Sequence, residues 1–97
     1  MTIDQIKAHN KSAGYHFFDP ATMHFFRSRV SPTIYQGNGR ILFITSEQFR
    51  NGNTIAPRRY TIREYNADIG DISTVGDFNK MSRGAAIAEA ISLTREI

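Results

Sequence analysis

The sequence predicts an α+β fold: a three- to four-stranded antiparallel sheet, preceded by short helices and closed by an alanine-rich helix. Three observations carry this. Apolar runs bounded by turn residues fill the middle of the chain, the strongest being Arg40-Ile-Leu-Phe-Ile-Thr45. Two helix starts, Thr2 and Asp19-Pro20, stand before them. The stretch from Ala85 to Arg95 is alanine-rich and follows a capping serine, Ser82.

The elements follow in order. Thr2 to His9 reads as a short helix with Ile3 and Ile6 on one face, ended by Asn10-Lys-Ser-Ala-Gly14. Tyr15 to Phe18 is apolar and extended. Asp19 can accept from the open amides of the next helix, and Pro20 is pre-set for its first position. That helix is predicted to run to about Arg27 and to stop by Ser31-Pro32. Thr33 to Gln36 is a short strand and Gly37-Asn-Gly39 a turn. After the strand Arg40 to Thr45, residues Ser46 to Phe49 read as one helical turn. Asn51 to Pro57 reads as an open loop. Arg58 to Tyr65 alternates, with Tyr60 and Ile62 on one face and Arg59, Thr61, Arg63 and Tyr65 on the other, open face. Asn66 to Gly70 connects it to a partner strand, Asp71 to Val75. In the last helix, Ile87, Ile91 and Thr94 or Arg95 lie along one face, and the alanines allow close approach to a sheet.

A chain of 97 residues is expected to form a single domain, 1–97. With no cysteine, a disulfide framework and thiolate metal sites are excluded, and a reducing cytoplasm is the expected compartment. No apolar run approaches the ~20 residues that span a bilayer, so no membrane partner is expected. The net charge of +3 is uneven: +6 over residues 1–63 and −3 over residues 64–97. Six of the basic residues are arginines between 27 and 59. Arginine favours bidentate contact with carboxylate or phosphate, so the asymmetry speaks of partners.

Five of the eleven aromatic residues fall within twelve positions: Tyr15, Phe17, Phe18, Phe25 and Phe26. The triplet His-Phe-Phe occurs there twice. Neighbouring phenylalanines on one helix cannot point the same way, so one of Phe25 and Phe26 is expected inside and the other outside. Tyr15, His16, Phe25, Arg27 and Arg29 form the first candidate patch, suited to a protein hot spot. Arg58, Arg59, Arg63 and Tyr65, with Lys80 and Arg83, form a second, suited to phosphates and bases.

Catalytic and cofactor chemistry finds little support. His9, His16 and His24 are spaced by seven and eight residues, whereas helical zinc ligands stand three to five apart. His16 beside Asp19 is the one acid–base pairing in reach. Gly37-Asn-Gly39 lacks the Lys-Ser/Thr ending of a phosphate loop. Asp68, Asp71 and Asp77 lack the alternate spacing and closing Glu of a calcium loop. No catalytic residue, metal or cofactor is therefore expected.

Two resemblances add to this reading. The order helix, three strands, alanine-rich helix is similar to a double-stranded-RNA-binding domain, and Lys80-Met-Ser-Arg83 before Gly-Ala-Ala-Ile-Ala-Glu-Ala90 looks like the start of that family's second helix. Where that family carries a lysine cluster, this chain has only Lys80 and Arg83. The segments Lys11-Ser-Ala-Gly-Tyr-His-Phe-Phe-Asp-Pro-Ala-Thr-Met23, Phe25-Phe-Arg-Ser-Arg-Val30, Ala56-Pro-Arg-Arg-Tyr-Thr61 and Thr74-Val-Gly-Asp-Phe-Asn-Lys80 resemble a group of small accessory proteins of phages and mobile elements. That resemblance implies a genomic setting only, hence a bacterial host cell and its cytoplasm; small accessory proteins in that setting often antagonise host defence, anti-CRISPR proteins among them, usually by binding rather than by chemistry. The partner expected is a host protein or ribonucleoprotein complex. The alternative is a small nucleic-acid-binding module using an arginine-rich sheet face. Exposed aromatics are also compatible with a homodimer.

Overall fold

The computed structural model describes residues 1–95, the side chain of Asn51 excepted. The elements, in order, are α1 (Ile3–Ser12), α2 (Pro20–Phe25), β1 (Arg29–Val30), β2 (Tyr35–Gly37), β3 (Arg40–Glu47), β4 (Arg50–Asn51), β5 (Thr54–Ile55), β6 (Arg59–Tyr65), β7 (Ile72–Val75) and α3 (Arg83–Thr94). The fold is α+β. The main sheet is antiparallel, in the order β1, β3, β6, β7, with β2 also on the outer side of β3. β1 pairs with the C-terminal part of β3 (Val30 with Thr45) and β2 with its N-terminal part (Tyr35 with Leu42), so one edge is a strand interrupted at Ser31-Pro32. Proline lacks a backbone donor, which suits it to this edge position. β4 and β5 form a separate two-stranded hairpin.

Alternation along β3 and β6 sorts the core into two layers. Leu42 and Ile44 of β3 and Ile62 of β6 face α3 and pack on Ala86 and Ala90, with Tyr35, Tyr60, Val75, Met81, Ile87 and Leu93 around them. Phe43 and Tyr65 face the other way and meet Ile3 and Ile6 of α1, with Phe17, Phe18, Val30, Ile34, Ile41 and Ile72. The second sheet face is therefore covered, not open as the alternation alone suggested. On α3 the alanines Ala86 and Ala90 face the sheet, as close approach of the helix allows; Ile87 packs at the margin of that layer and Ile91 is exposed.

That close approach is visible at the end of α3. A Cβ on Gly37 would lie 1.8 Å from the carbonyl oxygen of Thr94. Asn38 donates to the carbonyls of Leu93 and Arg95 (3.3 and 2.8 Å), closing the helix C-terminus. Asn38 and Gly39 both have positive φ (52° and 71°), as a tight two-residue hairpin turn requires.

Other local expectations are corrected by tertiary contacts. α1 continues to Ser12 because Asn10 points inward and donates to the carbonyl of Gly70 at 2.7 Å. Its start is as expected: Thr2 and Gln5 form a reciprocal capping box. Asp19 and Pro20 start α2 as expected, but the Asp19 side chain bonds no helix amide; its carboxylate pairs with His16 Nδ1 at 2.9 Å. α2 ends at Phe25 and Arg27 turns the chain with φ of 49°, so Arg29 and Val30 enter the sheet. Ser46 and Glu47 extend β3 instead of starting a helical turn.

Candidate binding surface at the basic end of the sheet

The pairing register brings residues from four segments to one end of the sheet. Arg29 lies opposite Ser46, Ser46 opposite Tyr60, and Tyr60 opposite Met81. This line crosses the sheet where β3 stops and β6 and α3 begin. Arg27, Arg29, Arg58, Arg59, Lys80 and Arg83 are thus gathered at that end, all exposed except the half-buried Arg58. Two patches that stand apart in the sequence, the one at 27–29 and the one at 58–59, are neighbours here.

Their junction is an open hollow of about 510 Å³ lined by Met23, His24, Arg27, Ser28, Arg29, Gln48 and Arg58. Arg58 builds it. Its Nη1 donates to the carbonyl of Arg27 (3.1 Å) and to the carbonyl and hydroxyl of Ser46 (3.1 and 2.9 Å), fastening the turn after α2 to the end of β3. Those bonds use Nη1 alone. Arg27 and Arg29 have no ion-pair partner among the described residues. Three guanidinium groups around one depression attract an oxyanion, since each offers several donors in a planar fork.

Beside the hollow lies an aromatic platform. Phe26 meets Phe25, Phe78 and Phe49 edge to face, with centroids 4.8, 5.8 and 6.3 Å away, and Phe49 meets Phe78 at 6.2 Å. Phe26 is the half-buried centre, and Phe25 is 77% exposed. The adjacent phenylalanines therefore divide as expected, one inward and one outward.

The platform rests on a buried polar group. Glu47 is fully buried. It accepts from Thr45 (2.8 Å), Thr61 (3.1 Å) and Arg63 Nη2 (3.1 Å). Arg63 also donates from Nε to Thr45 (3.0 Å) and from Nη1 to Thr74 (2.6 Å). The Thr61 hydroxyl in turn accepts from the Asn79 backbone at 2.8 Å. The Arg63 guanidinium lies between Phe17 and Phe78, 5.1 and 5.3 Å from their ring centroids. So Arg63 is not displayed on an open face. It attracts Phe78, itself part of the platform, by cation–π interaction. Tyr65 is likewise buried, its hydroxyl bonded to His9 Nδ1.

The remaining candidates lie elsewhere. Tyr15 and His16 are exposed in the segment between α1 and α2. His16 pairs with Asp19 at the surface, where solvent weakens the contact. At the opposite end of the sheet stand Glu64, Asp68 and Asp71 around a second hollow. There Arg40 forms a two-pronged pair with Glu64 (3.0 Å for both bonds), which raises the arginine's pKa above its usual value, the hydrogen bond being the main cause. The molecule is thus charge-polarised along its strands. Among the described residues, no three of His, Asp and Glu cluster closely enough to hold a metal ion. No helix among them is long and apolar enough to cross a membrane.

Phe49, Phe78 and Glu47 were not legible as site residues. Phe49 and Phe78 are single aromatics 29 positions apart, and no local pattern joins them. A lone Glu ending a strong apolar strand is the one signal that Glu47 offers.

A family model matches residues 2–91, nearly the whole chain: DUF7447, a family of unknown function. The chain belongs to this family. No curated protein matches the chain, and no solved structure does. The matched span contains the hollow, the platform and the buried pair.

Proposed function

We propose that this protein is a non-catalytic accessory protein of a phage or mobile element that binds a host macromolecular complex in the bacterial cytoplasm. The partner class is a defence protein or ribonucleoprotein, inhibited in the anti-CRISPR manner. One observation carries the binding reading: Phe25, 77% exposed, meets Phe26 edge to face, Phe26 in turn meets Phe49 and Phe78, and Arg27 and Arg29 follow in the chain, both exposed. An aromatic anchor flanked by arginines has the composition of an interface hot spot. The genomic setting rests on the segment resemblances given above.

A second reading, a nucleic-acid-binding module, is favoured by the gathering of Arg27, Arg29, Arg58, Arg59, Lys80 and Arg83 at one end. In that reading Arg63 and Tyr65 act from inside the fold, as supports.

Affinity capture from bacterial host lysate, with and without nuclease, tests the proposal. Phe25→Ala and Arg27→Gln/Arg29→Gln are expected to lose a defined partner while melting as the parent chain does. Capture unchanged in both variants would remove this surface from the proposal.

A further inference from the structure

We infer that the arginine hollow is a phosphodiester site for single-stranded nucleic acid, with a neighbouring base stacked on Phe25. The inference rests on the binding reading above and names the group on the partner that this end of the molecule grips.

Four observations converge on it. First, the hollow holds three arginines and a histidine on its rim, with no carboxylate among its lining residues. Second, Arg58 is fixed by three bonds from a single nitrogen, Nη1, so its Nε and Nη2 remain to meet a ligand. A guanidinium held before the ligand arrives loses little freedom on binding. Third, Arg59, Lys80 and Arg83 stand at the same end of the sheet, around the pairing line Arg29, Ser46, Tyr60, Met81, so cationic charge extends beyond the hollow. Charge spread over one end of a molecule suits a polyanion, whose phosphates recur along its backbone. Fourth, Phe25 follows His24 of the rim directly in the chain and is 77% exposed. An exposed aromatic ring near gathered cations is the combination by which single strands are held without sequence reading.

An acidic protein surface would also be drawn to the arginines. The spread of cations beyond the hollow, to Arg59, Lys80 and Arg83, favours the strand, whose phosphates recur along its length. A duplex is disfavoured because its bases are paired and cannot reach Phe25.

The test uses the full chain and a fluorescent 15-nucleotide oligo(dT) or oligo(U), with binding followed by anisotropy across a salt series. Binding is expected to fall steeply with salt. Arg27→Gln/Arg29→Gln should flatten the slope of log K against log[salt] by about 0.7 for each phosphate no longer gripped. Phe25→Ala should weaken binding roughly 5- to 100-fold with the slope unchanged. Lys11→Gln, which removes a charge near the opposite end, should change neither. A duplex of the same length should bind more weakly than the strand, and should not respond to Phe25→Ala.

Absence of binding at low salt, or equal weakening in Lys11→Gln and the arginine variant, would overturn the inference. Binding of polyglutamate but not of the oligonucleotide at matched salt would overturn it in favour of an acidic protein surface. If the strand is not bound while Phe25→Ala still abolishes capture of a nuclease-resistant partner, this inference fails and the proposed function stands. If Phe25 and the arginines matter to neither assay, both fail.

Discussion

Glu47 and Arg63 illustrate how much one buried pair can govern. Their side chains are 1% and 11% exposed, and every buried side-chain oxygen and nitrogen of the cluster has a partner. Removing one member leaves a charge buried alone, which costs about 3–5 kcal/mol. Glu47→Ala should therefore lower unfolding stability by about that amount in a urea titration; a decrease under about 1 kcal/mol would mean the pair is solvated in solution. The double change Glu47→Leu/Arg63→Met should recover most of it, because an apolar pair of similar volume is often neutral or better. At this scale the sequence was half informative. Alternation correctly set Arg63, Thr61 and Arg59 on one face. It could not reveal that Phe17, from before the sheet, and Phe78, from after it, close over Arg63 from both sides.

Among the elements, the long ones were legible, as were the short α2 and β2, whereas the two-residue strands were not. β3, β6, β7 and α3 carry their own period or caps, and Thr2 and Ser82 cap their helices as their residue types suggest. β1, β4 and β5 are two residues each, too short to show any period, and exist because a neighbour supplies the hydrogen bonds. The helical turn expected at Ser46 to Phe49 fails for the same reason: Glu47 is drawn into the strand by Thr45, Thr61 and Arg63. The packing of β2 on α3 makes a sharper prediction. Gly37→Ala forces its methyl against the Thr94 backbone, so helix or strand must shift, and a destabilisation of about 1–3 kcal/mol is expected by thermal melting. Asn38→Ala, which removes the closing bonds to Leu93 and Arg95 without a clash, should cost about 1 kcal/mol. A melting temperature unchanged by Gly37→Ala would show that α3 does not approach β2 as described.

For the molecule as a whole, charge and shape point the same way. The basic end and the end with Glu64, Asp68 and Asp71 lie at opposite limits of the strands. A two-fold dimer through the aromatic platform would bring two copies of this basic end together. Like charges facing across an interface are costly, so the chain should sediment as a monomer at tens of micromolar and physiological salt. A dimer that dissociates on Phe25→Ala would contradict this. Six cations converge only because the register aligns the start of β1, the end of β3 and the start of β6. No window of sequence contains that alignment, which is why the two arginine patches read as separate. There remains a thermodynamic corollary of the Arg63 sandwich. Phe78 cannot swing away without giving up its contact with a guanidinium that Thr45, Thr74 and Glu47 hold in place, so the platform is ordered before any partner arrives. Docking on such a surface requires little ordering of this chain. Calorimetry should then find a heat-capacity change that matches the area covered, with none of the excess that marks folding upon binding.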